Sequence, residues 1–156
     1  LAGVIYAGWL LGHFILLRHL ENGMAWVLTA LLATFAIDTA AYFVGSAIGR
    51  HRLAPKISPG KTWEGAVGGF IGGVAAVAIL ARVLDLPLDW LQSFVLGALL
   101  GVLAQVGDLV ESLLKRSTHV KDTSTIIPGH GGLLDRTDSL IFSVVVVYYY
   151  ALWTVK

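Results

Sequence analysis

The feature that most limits what this chain can become is its division into apolar runs: residues 1–20, about 24–49, 65–84, 90–116 and 133–154, separated by two short turns and two longer polar loops. A helix rises 1.5 Å per residue, so about 20 residues match a hydrocarbon core of about 30 Å. Lipid offers a backbone no hydrogen-bond partner, which forces each spanning run to be helical. Composition agrees, with 56% of residues hydrophobic and 13% charged, against roughly 45–50% and about 25% in soluble domains. The expected fold is all-α: a polytopic transmembrane helix bundle of about five spans, with two basic loops.

The absence of cysteine excludes disulfides and thiolate metal sites. Residues 1–20 lack a basic start and a small-residue cleavage site, so they do not read as a signal peptide. The chain opens at Leu1 inside an apolar run. It is therefore expected to be the C-terminal part of a longer protein, with 1–156 a single membrane-embedded region. Gly65, Gly69 and Gly73, together with Gly68 and Gly72, repeat every four residues in the third span, and Gly97 and Gly101 do so in the fourth. Small residues at that spacing let helix backbones approach. Tyr148, Tyr149, Tyr150 and Trp153 close the last span and read as an interfacial aromatic belt.

Charge sets the expected orientation. Arg50, Arg52, Lys56, Lys61, Lys115, Arg116, Lys121 and Arg136 fall on one side of the spans, and Arg18, Arg82 and Lys156 on the other. The richer side should be cytoplasmic, where nucleotides are found. No nucleic-acid partner is expected.

Ionisable groups inside or at the mouths of these spans carry the chemical content. Asp38 lies near the middle of the second span, where a carboxylate marks a functional position by default. A protonated or hydrogen-bonded structural carboxyl is the bland alternative, with Thr34 and Tyr42 one turn away on either side. Asp108 sits late in the fourth span, and Asp135 and Asp138 open the fifth, three residues apart and so on one helix face. Between them stand Lys115, Arg116, Lys121 and the turn Pro128-Gly129-His130-Gly131-Gly132. Clustered carboxylates suit a hard cation such as Mg²⁺ that is shared with substrate phosphates. The cations would meet those phosphates, and the glycines allow backbone N–H groups to come close to an anion. Singly, each residue reads as a snorkelling side chain in a polar loop; their concentration in one loop favours a site. In the loop 50–64, Gly60-Lys61-Thr62 lacks the earlier glycine of a P-loop, because Pro55 holds that position. Lys56, Ser58, Lys61 and Thr62 remain candidates for holding phosphate, against the alternative that the lysines only set topology.

The stretch from Ser112 to Arg116 (SLLKR), followed after four residues by Lys121 to Asp138 (KDTSTIIPGHGGLLDRTD), resembles the signature of the phosphatidate cytidylyltransferase (CDP-diacylglycerol synthase) family. Lys56 to Gly65 (KISPGKTWEG) resembles a second stretch typical of that family. The resemblance implies a membrane enzyme that transfers CMP from CTP to phosphatidic acid, releasing pyrophosphate. On that expectation Asp108, Asp135 and Asp138 hold one or two Mg²⁺ ions, with Asp38 extending the metal site or standing behind it. Lys115, Arg116, Lys121 and Arg136 hold the triphosphate. His130 donates to a phosphate or shapes the loop. Lys56, Ser58, Lys61 and Thr62 face the lipid phosphate. The expected setting is the bacterial inner membrane, with the site facing the cytoplasm and a homodimer left open. The rival expectations are a CTP-dependent lipid kinase, which would release CDP, and an ion-coupled transporter using Asp38 and Asp108. Transporters often carry internal repeats, and none is evident here.

Overall fold

The computed structural model describes Gly8, residues 12–117 and residues 138–154. A short helix α1 (residues 12–18) leads through a turn at Asn22 into α2 (Gly23–Ile48). A β-hairpin follows, β1 (Arg52–Ala54) with β2 (Ser58–Thr62), and then α3 (Trp63–Val83), α4 (Trp90–Ser117) and α5 (Asp138–Thr154). Helix α2, helix α3 and the part of α4 from Trp90 to Val110 are each long and apolar enough to cross a membrane. The shorter apolar stretch Phe142–Thr154 lies in α5. The all-α bundle is as expected, and α2, α3 and α4 match the second, third and fourth apolar runs to within a few residues, while parts of the first and fifth runs lie outside the described residues.

The bundle is built with small residues inside and large ones outside. On α3 the buried row is Gly65, Gly69, Gly73, Val77 and Ala81, while Val67, Ile71, Ile79 and Val83 point outward. That inversion suits lipid, where association comes from close backbone packing rather than from exclusion of apolar groups from water. A Cβ at Gly65 would stand 2.7 Å from the Ala41 carbonyl oxygen and 3.1 Å from the Gly45 Cα, so α2 and α3 touch through their backbones. A Cβ at Gly97 would stand 2.6 Å from the Val74 Cα, which joins α3 to α4 in the same way. Where the helices diverge, Trp26, Ile37, Val77, Leu96, Leu100, Val144 and Val147 fill the core, all fully buried.

Helices α3 and α4 start on side-chain caps, whereas Asn22 makes no side-chain capping bond at the start of α2. The Thr62 hydroxyl accepts the Gly65 N–H at 3.1 Å and caps α3. Such caps contribute about 1 kcal/mol. At α4, the Asp89 carboxylate accepts the Gln92 N–H at 2.7 Å and the Gln92 side chain accepts the Asp89 N–H at 2.9 Å, a reciprocal capping pair. The aromatic belt needs one correction. Tyr149 and Trp153 are exposed, but Tyr150 is buried and its O–H donates to the Gln92 carbonyl at 2.8 Å. A buried phenol O–H usually needs such a partner.

The segment between α2 and α3 was expected only to be non-helical. It folds into an antiparallel pair in which Arg52 opposes Thr62 and Ala54 opposes Ser58, with a register shift between Arg52 and Ala54. Five residues of β2 pair with three of β1, and a bulge absorbs the excess. The turn is closed by the Ile57 N–H donating to the Ala54 carbonyl at 3.1 Å, and the base by the Trp63 N–H donating to His51 at 2.9 Å. An isolated two-stranded hairpin is marginal in water, so this one depends on what it is tied to.

Candidate functional site: a charged cavity under the hairpin

The hairpin roofs a cavity of about 630 Å³ whose walls come from α2, α3 and α4. Helix α2 contributes Asp38, Tyr42 and Ser46, successive turns of one face. The hairpin contributes Arg52, Ser58, Lys61 and Thr62, and α4 contributes Gln105 and Asp108. Two acids and two bases among the lining side chains make this a polar chamber at one end of three membrane-length helices. The volume lies within the 300–1,000 Å³ typical of ligand pockets.

Lys61 and Asp108 form an ion pair across the cavity, their side chains 25% and 31% exposed. It joins the hairpin to α4, and it partly neutralises a carboxylate near the end of the membrane-length part of that helix. Below it, the Gln105 amide donates to Gly101 of its own helix at 2.6 Å and to Ala66 of α3 at 3.1 Å. That bridge fixes the turn of α4 from which Asp108 projects.

The hairpin is tied at its base by Glu64, in the first turn of α3. Its carboxylate accepts the N–H groups of Arg50 at 3.2 Å and His51 at 3.3 Å. The same carboxylate lies 2.6 Å from His51 Nδ1. A negative group at a helix N-terminus is also favoured by the helix dipole. Glu64 thus fixes the residues immediately before Arg52.

Among the residues singled out from sequence, the structure brings Asp38, Ser58, Lys61, Thr62 and Asp108 to one cavity. Lys56 does not line it; it is exposed at the hairpin turn. Thr62 lines it, but its hydroxyl is engaged as the cap of α3. The Thr34 hydroxyl donates its proton to Ala30 of its own helix at 2.7 Å, so it has none to give to an Asp38 carboxylate. Lys121, His130, Asp135 and Arg136 lie outside the described residues, as do the side chains of Lys115, Arg116 and Asp138. Among the described residues no three acidic, imidazole or thiol groups gather as a metal centre. Sequence reasoning missed Ser46, Gln105, Arg52 and Glu64. Ser46 was legible as two turns beyond Asp38, and Gln105 as one turn before Asp108. Arg52 and Glu64 carry no such signal, because their places depend on hairpin pairing.

Comparison with known proteins bears on the whole of this architecture. Residues 1–154 match the model of the cytidylyltransferase family. The chain is 40% identical over 146 residues to a phosphatidate cytidylyltransferase of Bacillus subtilis (strain 168), covering 93% of this chain and 54% of that protein. It is 42% identical over 132 residues to a phosphatidate cytidylyltransferase of Mycobacterium tuberculosis (strain CDC 1551 / Oshkosh), covering 82% and 39%. It is 43% identical over 145 residues to the uncharacterized protein YnbB of Escherichia coli (strain K12), covering 93% and 48%. The chain thus spans about half the length of the curated relatives it matches. The resemblance carried by the two signature stretches holds over nearly the full chain, and the chain belongs to the cytidylyltransferase family.

Proposed function

We propose that the protein containing this chain transfers CMP from CTP to phosphatidic acid, giving CDP-diacylglycerol and pyrophosphate. The observation that carries this reading is the cavity itself, which sets acids and cations together at the end of membrane-length helices in a chain of this family. A water-soluble nucleotide and a two-tailed lipid both have to reach the reacting atoms, and a chamber at a membrane boundary serves both.

An oxygen of the lipid phosphate attacks the α-phosphorus of CTP. A new P–O bond forms, the bond to the bridging oxygen between the α- and β-phosphates breaks, and pyrophosphate leaves. A phosphomonoester loses its second proton with a pKa of about 6, so the nucleophile is already anionic near neutral pH and needs no strong base. The difficulty is the gathering of several anions, and positioned cations overcome it. In this reading Lys115, Arg116, Lys121 and Arg136 hold the triphosphate, and His130 donates to one of its phosphates.

The donor set fits Mg²⁺. Asp38 and Asp108 line one polar cavity, and Mg²⁺ usually takes one or two carboxylates with waters and substrate phosphates. Asp38 and Asp108, together with Asp135 and Asp138, would hold one or two such ions, which would supply charge neutralisation to the triphosphate. The hairpin end carries Arg50, Arg52, Lys56 and Lys61, which supports a cytoplasmic site in a bacterial inner membrane.

The test is radiolabelled CTP with phosphatidic acid, using the full-length protein with and without Mg²⁺. Metal-dependent formation of CDP-diacylglycerol with one pyrophosphate per turnover is expected. Release of CDP with a phosphorylated lipid would instead identify a kinase.

A further inference from the structure

We propose that Arg52, which sequence alone marks only as a topology-setting cation, is the hairpin residue that takes a substrate phosphate. This rests on the proposed transfer reaction and adds a binding residue to it.

The two cations on the cavity wall are not equivalent. Lys61 is held by Asp108, so its charge is already balanced within the protein. Among the described residues no ion pair involves Arg52, although it lines the same cavity. It is exposed, so its guanidinium stays hydrated and ready to exchange water for an anion. The hairpin register places it directly opposite Thr62, and opposed residues on paired strands share a face. Thr62 also lines the cavity and caps α3, so Arg52 stands over the positive end of that helix, where an anion is favoured.

Arg52 is also held in place from behind. Glu64 binds the N–H groups of Arg50 and His51, the two residues that precede it. The strand bearing the guanidinium is therefore fixed to α3 at its base. A guanidinium presents a planar fork of donors that matches two phosphate oxygens at once, which an ammonium cannot do. Lys61 then organises Asp108, and Arg52 binds the incoming anion.

The phosphate can belong to CTP or to phosphatidic acid, and kinetics with each substrate varied in turn separate them. In full-length Arg52→Ala and Arg52→Gln, the apparent KM of one substrate is expected to rise about 10- to 100-fold, as for loss of a charge-assisted contact, with kcat changed less than about threefold. Arg52→Lys should recover part of the loss. The unaltered KM of the other substrate shows that the variant is folded. Unchanged constants for both substrates, or equal rises for both from a displaced hairpin, would overturn the proposal. Should wild-type protein form no CDP-diacylglycerol, the reaction reading fails on its own. Arg52 is then judged by equilibrium binding of CTP, and of detergent–phosphatidylcholine mixed micelles with and without phosphatidic acid. Equal binding of both probes by wild type and Arg52→Ala would refute it.

Discussion

Lys61 near the end of β2 and Asp108 on α4 meet as an ion pair that closes the hairpin over the cavity. The pair lies between the exposed case, worth about 0–1 kcal/mol, and the buried case, where removing one partner is costly. A double-mutant cycle of Lys61→Ala and Asp108→Ala, read by thermal unfolding in detergent, should give a coupling of about 1 kcal/mol. Simple additivity would mean that the contact contributes nothing.

The same pair bears on metal dependence. If Asp108 holds a divalent cation during turnover, Lys61 competes for that carboxylate. Lys61→Met should then lower the half-saturating Mg²⁺ concentration about tenfold, a shift of about 1.4 kcal/mol, while reducing the maximal rate. Chelation of Mg²⁺ should abolish activity in both proteins. An Mg²⁺ requirement unchanged in Lys61→Met would remove Asp108 from the metal site.

Thr62 offers a way to separate a cap from a ligand. Its hydroxyl accepts the Gly65 N–H, so Thr62→Val should cost about 1 kcal/mol of stability and Thr62→Ser very little. If the hydroxyl serves only as a cap, both variants keep the wild-type KM for each substrate. A raised KM in Thr62→Val at unaltered helix content would show that it also touches substrate.

Glu64 gathers the base of the hairpin through Arg50 and His51. Glu64→Ala should expose the segment between α2 and α3 to proteolysis while leaving helix content intact. Glu64→Gln keeps an acceptor for the backbone N–H groups and should be cut more slowly. Identical cleavage rates in wild type and Glu64→Ala would show that the hairpin is held by other contacts.

Gly65 and Gly97 test the packing. A Cβ at either would fall within 2.7 Å of backbone atoms on the facing helix, which cannot rotate away as a side chain can. Substitution by alanine should destabilise by about 1–3 kcal/mol. Gly60, with open space where a Cβ would be, should accept alanine with little effect. Measuring the three melting temperatures together decides the matter.

The helical architecture was written locally. Runs of about 20 apolar residues admit one solution in lipid, and the four-residue glycine spacing marked the inner faces of α3 and α4 before any contact was known. Asp38 and Asp108 were legible as site residues because an acid within an apolar run is costly without a function. The hairpin was not legible: Ser58 to Thr62 includes a proline and a glycine, residues depleted in strands, and its pairing is held by Glu64 from outside the strands. Which cation is balanced and which is available was equally hidden, since Lys61 and Arg52 are alike in sequence terms as loop cations. Sequence by itself determined the three membrane-length helices, their packing faces and the family. Tertiary structure alone decided that Lys61 belongs to Asp108 and that Arg52 faces the cavity, because a charge's partner depends on distances between segments that are remote along the chain.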